Sequence, residues 1–284
     1  MFYNRLLWYQ YGKFSPRFAW RWMTASKRSL PDFLIIGAQK CGTTSLYAYL
    51  EQHPEIAGAS KKEVKYFDMF SHQELDWYKA HFPTIAEKGQ RLTGEATPDY
   101  LFFPGIATKV HRCMPNVKLL VLLRDPADRS YSQYRYAQRR GHETLSFADA
   151  IEAEPRRLKE AREACQKSGQ LLSTHRNYRE QSYVARSQYM EQLQPWLEQF
   201  DRNQFLFLTS EALQSQPQET LRLATDYLGL QSFDFRTGEK HNAAGSKPSG
   251  EALEQIESLR ERFRKSVDQL SKVTGLSFDT HVVN

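Results

Sequence analysis

Three continuous apolar runs divide the chain: Phe33-Leu34-Ile35-Ile36, Val117–Leu123 broken only by Lys118, and Phe205-Leu206-Phe207-Leu208. Runs this short, with no polar alternation, predict strands covered on both faces, as in a parallel sheet. Helical spacing follows each of them. A helix is expected after the first strand through about Gln52, ending before His53-Pro54 because the residue before a proline avoids helical backbone. Further helices are expected over 73–82, from near Asp128, over 152–167 as a charged surface excursion, and around 219–227, ended by Gly229. Leu193, Trp196, Leu197 and Phe200 form a core-facing stripe, and Leu253, Ile256, Phe263, Val267 and Leu270 mark a terminal amphipathic helix. Thr93–Tyr100 reads as turns after a short strand, and residues 238–250 as a long loop. Strands alternating with helices predict one α/β domain, residues 31–284, with a central parallel sheet and its ligand at the carboxyl ends of the strands.

Composition narrows the class. With 284 residues, 40% hydrophobic and 25% charged, the chain is an ordinary globular protein. Cys41, Cys113 and Cys165 are odd in number, far apart and without a C-x-x-C pair, which argues against a disulfide framework or a zinc site. No run is long enough for a membrane span and no signal-peptide pattern is present, so a reducing, cytoplasmic setting is expected. The net charge of +6 fits an anionic ligand. Residues 1–30 form a basic, aromatic arm with six cations and no acid. An arm packed on the domain, aromatics buried and cations solvated, is favoured over an interfacial membrane segment, because Gly12 and Pro16 interrupt any helix.

The stretch after the first strand carries the chemistry. Gly37-Ala38-Gln39-Lys40-Cys41-Gly42-Thr43-Thr44-Ser45 has the glycine spacing of a P-loop-type phosphate site at a helix start. Thr43 stands where the triphosphatase loop has its lysine, and the cation sits inside the turn as Lys40. Lys40, Cys41, Gly42, Thr43, Thr44 and Ser45 would wrap an anion through backbone amides, hydroxyls and one full charge. A bare strand–turn–helix corner would need none of those hydroxyls. At the end of the second apolar run, Arg124 and, on the next helix, Ser132 make a separate anion site. Asp125 is a candidate metal ligand there, or the partner of a surface ion pair with Arg124. Two anion sites on neighbouring strand ends suit a nucleotide phosphorylated at two places.

Residues 31–45 together with Leu122-Leu123-Arg124-Asp125-Pro126 resemble the sulfotransferases that use 3′-phosphoadenosine 5′-phosphosulfate, in particular the heparan-sulfate and related bacterial branch. The resemblance runs to the C-terminus through residues 62–68, Trp77-Tyr78, residues 94–100 and the 241–248 loop. It implies that the 40–45 loop holds the 5′-phosphosulfate, that Arg124 and Ser132 hold the 3′-phosphate, and that Lys247 in the late loop adds a cation. It implies Glu63 as the general base, Lys40 stabilising the leaving phosphate, adenosine 3′,5′-bisphosphate as product, no metal, and no nucleic-acid partner. The residues alone would leave Glu63 as a solvated charge in Lys61-Lys62-Glu63. Ala96 stands where some glycan-acting members carry lysine, and Lys65 where members often carry histidine. His53, His111 and His281 are read as structural or solvated, and Cys41 as a filler of space. The acceptor is a hydroxyl or amine of a carbohydrate or small natural product; Tyr66, Phe67, Phe70, Trp77, Tyr78, Tyr100, Phe102 and Phe103 read either as the lining of an apolar acceptor cleft or, equally well for most of them, as core packing. The competing readings are a magnesium–ATP kinase or triphosphatase, and a membrane- or RNA-binding protein on a degenerate nucleotide fold.

Overall fold

The computed structural model describes residues 16–238, 248 and 250–278. Its elements in chain order are α1 (Pro16–Met23), β1 (Phe33–Gly37), α2 (Thr43–Leu50), α3 (Leu75–Lys79), α4 (Ile85–Lys88), β2 (Gly94–Ala96), α5 (Ile106–Cys113) and β3 (Lys118–Leu123). After β3 come α6 (Pro126–Arg139), α7 (Phe147–Ser168), α8 (Arg176–Glu180), α9 (Tyr189–Leu197), β4 (Phe205–Thr209), α10 (Ser210–Ser215), α11 (Pro217–Leu228) and α12 (Gly250–Thr274).

The four strands form one sheet in the order β2-β1-β3-β4, parallel throughout. Leu34 pairs with Glu95 and Leu119, and Leu119 with Phe205, so all four strands end on one edge. The apolar runs are continuous because helices cover both faces: β1 and Leu119–Leu123 of β3 are fully buried. Each such leucine contributes roughly 1.5–3 kcal/mol of burial. Lys118, the one polar residue in the run, opens β3 and sends its ammonium to the carbonyls of Tyr227 and Leu228 at 2.9 Å each. It thereby neutralises the C-terminal carbonyls of α11.

Several expectations change. The strand placed before Thr93 lies inside the turn-rich segment, as β2, held by Tyr47 donating to the carbonyl of Gly94. The helix expected over 152–167 begins at Phe147, capped by Ser146, and it is no surface excursion: Glu154, Leu158, Ala161 and Cys165 make a buried face. The terminal helix buries Ile256, Leu259, Phe263 and Leu270, with Leu253 left 46% exposed. Pro16 opens α1 rather than breaking it, since the first helical position needs no amide donor. Phe18 and Trp22 pack on the core, but Trp20 is 54% and Met23 84% exposed. The arm's cations are not simply solvated. Arg21 donates to the carbonyls of Ala80 and Phe82, and the buried Arg28 also reaches Phe82. Residues 1–15 and most of the 238–250 loop lie outside the described residues.

Candidate active site

The ends of β1, β2 and β3 supply parts of a cluster at the carboxyl edge. After β1, the amide of Ala38 donates to the carbonyl of Leu122 at 2.7 Å and that of Cys41 to Ala38 at 3.2 Å, closing the turn. Lys40 (φ 72°) and Gly42 (φ 92°) both take the left-handed conformation, which aims the chain into α2. Gly42 is the cap, so the amides of Thr43, Thr44 and Ser45 are first-turn donors without a helical acceptor. Cys41 is fully buried, 3.6 Å from the Tyr189 hydroxyl, and burial pushes its thiol up to about 11. It stays protonated and fills space.

Lys40 leaves the loop toward α6. Its ammonium lies 4.2 Å from the centre of the Tyr136 ring, a cation–π contact. Burial, followed by repulsion from Arg139, Arg129 and Arg124, pushes it down to about 8. An amine crowded by three guanidinium groups fits an anion, which would relieve all of them. Arg129, fully buried on α6, ties the two elements by donating through Nε to the carbonyl of Gln39 at 3.0 Å. Its Nη2 is buried without a hydrogen-bond partner among the described residues.

Arg124 stands at the end of β3, as expected, with its guanidinium 3.6 Å from Asp128. Asp128, Ser132 and Tyr136 follow one another at one-turn intervals on α6, so Ser132 shares the face that meets both Arg124 and Lys40. Asp125 caps α6, accepting from the Asp128 amide at 2.8 Å, and lies 3.6 Å from Arg260, whereas Arg124 pairs with Asp128. Among the described residues no group of acidic, histidine or cysteine side chains is arranged to hold a metal ion.

Glu63 joins this cluster through a residue that the sequence reading passed over. Lys62 donates to Thr44 Oγ1 in the loop at 2.8 Å and to Glu63 Oε1 at 3.0 Å. Lys65 takes the other oxygen, Oε2, at 2.9 Å. The Glu63 side chain keeps 33% of its surface. Burial alone would raise its pKa, but Lys65 and Lys62 overcome that and hold it below the ordinary glutamate range. Lys65 itself is occupied by Glu63 and by Asp99 at 3.1 Å, rather than pointing free into the cleft. The neighbouring Lys-Glu-x-Lys spacing was the one sequence signal for this arrangement.

Glu95, buried in β2, accepts from Tyr78, Tyr100, Thr97 and the amide of Val64, and so anchors the Glu63 segment to the sheet. The same packing decides between cleft and core for the aromatic residues. Tyr66, Phe67, Phe70, Trp77, Tyr78, Tyr100 and Phe103 are buried core, and Phe102 alone of that set is partly exposed. His53 is a buried structural residue beside the Gln231 carbonyl, and His111 packs on the Phe200 ring. Lys247 and His281 lie outside the described residues.

Comparison with known proteins gives the arrangement a family. Residues 30–242 match the sulfotransferase domain family. A membrane-associated sulfotransferase of Dictyostelium discoideum is 29% identical over 313 residues, covering 88% of this chain and 66% of that protein. A heparan sulfate glucosamine 3-O-sulfotransferase of Mus musculus is 31% identical over 206 residues, covering 72% of this chain and 48% of that protein. The chain thus spans under two thirds of the length of either relative. The crystal structure of a sulfotransferase from Alicyclobacillus acidocaldarius superposes with a TM-score of 0.71 at 26% identity, covering 88% of this chain and 97% of that one. The expected cytoplasmic setting is overturned by these relatives, one of them membrane-associated by name. The cysteines that suggested it are all free, with Cys41 and Cys165 buried. No helix among the described residues is long and apolar enough to cross a membrane.

Proposed function

Since the chain belongs to the sulfotransferase domain family, we propose that it moves a sulfuryl group from 3′-phosphoadenosine 5′-phosphosulfate to an acceptor. The acceptor is a hydroxyl or amine of a carbohydrate or small natural product. One observation carries the reading: Lys62 bridges Thr44 of the phosphate loop and Glu63, which puts a carboxylate base at the mouth of an anion cradle.

The residues divide the work. The first-turn amides of α2, with Thr43, Thr44 and Ser45, suit a 5′-phosphate, and Arg124 with Ser132 suits a 3′-phosphate. When bound, the donor supplies a sulfuryl group carried on a phosphate. Glu63, kept ionised by its two lysines, takes the acceptor's proton as the acceptor attacks. Lys40 offers a cation to the phosphate oxygen that gains charge as the bond to sulfur breaks. Lys62, touching both loop and base, is suited to the sulfuryl oxygens between them. Electrostatic stabilisation by these cations needs no γ-phosphate, which is why a threonine stands at position 43 in place of the triphosphatase lysine.

The test is transfer itself. Donor carrying radioactive sulfur, incubated with panels of neutral sugars, amino sugars and small phenols or amines, should leave label on members of one acceptor class. The reading fails if every panel stays unlabelled while the donor remains intact.

A further inference from the structure

We propose that Asp99 is a positioning residue that acts through Lys65: it anchors the lysine that grips Glu63 and divides that lysine's charge between two carboxylates. The proposal rests on the reading of Glu63 as the base. Lys65 is one of two non-glycine residues at positive φ among the described residues, here 60°, a conformation that persists only where its surroundings impose it. Thr97 Oγ1 holds its amide at 3.3 Å, and its ammonium lies between Glu63 Oε2 at 2.9 Å and Asp99 Oδ2 at 3.1 Å. The other oxygen of Asp99 is taken by Arg186 at 2.7 Å. Arg186 is itself fixed. Its guanidinium packs 4.2 Å from the Phe102 ring, and the turn that carries it is held by Glu154, which accepts from the amides of Val184 and Ala185 at 2.8 Å each.

Four alternating charges therefore run from the core to the base: Arg186, Asp99, Lys65, Glu63. Asp99 and Arg186 are both buried, whereas Glu63 is partly exposed. A buried ion pair adds little net stability over a well-packed apolar pair. A row of charges that begins in the core and ends on a half-exposed carboxylate serves to aim and tune that carboxylate.

The surrounding groups single out Asp99. Burial, and then Asp99 itself, push the neighbouring Asp68 up, and both of its side-chain oxygens are buried without a hydrogen-bond partner among the described residues, so Asp68 does not grip Lys65. Burial would also raise Asp99, but Arg186, Lys65 and Arg179 outweigh it and keep it ionised. Lys62 acts on Glu63 from the loop side, and its partner there is the neutral Thr44 hydroxyl. Asp99 is thus the anion that offsets Lys65 from the interior. Without it more of the charge of Lys65 falls on Glu63, and the carboxylate becomes a weaker base.

The experiment follows the Glu63 carboxylate directly, by carbon-13 NMR titration of the full chain labelled at glutamate Cδ, with Glu63→Gln to assign the signal. In Asp99→Asn the Glu63 titration should move to lower pH than in the unaltered chain. In Asp99→Glu it should stay near its original place, and in Lys65→Met it should move to higher pH. If Asp99→Asn does not fold, Asp99→Asn/Arg186→Met removes both buried charges and should show a smaller shift in the same downward direction, since Asp99 lies nearer to Lys65 and Glu63 than Arg186 does. A Glu63 titration unmoved, or moved upward, in a folded protein lacking the Asp99 charge overturns the proposal and leaves Asp99 as a structural staple. The titration needs neither donor nor acceptor, so its failure is separate from failure of the transferase reading.

Discussion

Glu63→Gln should turn over about 10²–10⁴-fold more slowly than the unaltered enzyme, the usual contribution of a positioned base. Adenosine 3′,5′-bisphosphate should bind it at least as well as before. The substitution keeps the shape of the side chain and one of its two lysine contacts, since the amide oxygen still accepts from one lysine and the amide nitrogen cannot accept from the other. It removes the proton acceptor and one negative charge. Glu63 meets the phosphate loop only by way of Lys62, so losing its charge leaves that lysine more cationic toward an anion, not less. Turnover measured with labelled donor, beside calorimetric binding of the bisphosphate, separates the two effects. Near-normal turnover in this variant would remove Glu63 as the base and return it to a solvated charge.

Lys40→Met should lose both rate and affinity. Removing one donor aimed at developing charge typically costs about 10²–10³-fold in turnover. If Lys40 also faces the nucleotide, as proposed, the bisphosphate should bind more weakly. A pH signature accompanies this. The Lys40 ammonium is pushed down to about 8 by burial and three arginines, whereas an anion beside it favours the proton. Below pH 8 the lysine is already charged and binding needs no proton. Above pH 8 it must first take one up, so affinity should fall by up to about tenfold per pH unit. Calorimetry of bisphosphate binding at pH 7 and pH 9 should show that fall in the unaltered chain and its loss in Lys40→Met. A pH dependence that survives the substitution would assign it to another group.

The sequence exposed some of this and hid the rest, for physical reasons. The strands of the sheet were legible because both faces are covered, which leaves unbroken apolar runs such as Leu119–Leu123. The phosphate loop was legible because its left-handed Gly42 and its hydroxyls lie next to each other in sequence. β2 was displaced by a few residues because it is three residues long and contains Glu95, whose carboxylate is satisfied by partners that lie nearby only in the fold. The aromatic residues from Tyr66 to Phe103 read equally well as cleft or core, since a ring carries no periodic sign of which side it faces. Lys62 and Asp99 escaped notice because their roles are contacts over 18 and 34 residues of sequence separation. Arg186, 87 residues from Asp99, could not be paired with it without the structure.

The central claim is that Lys40 with the loop, and Arg124 with Ser132, hold the two phosphates of one nucleotide. Thermal unfolding in the presence of adenosine 3′,5′-bisphosphate, set against ATP with magnesium at equal concentration, tests it most directly. A ligand at 100 times its dissociation constant adds about 2.7 kcal/mol of stability. The bisphosphate should therefore raise the melting temperature by several degrees and magnesium–ATP by clearly less. Stabilisation by magnesium–ATP with none from the bisphosphate would contradict the claim.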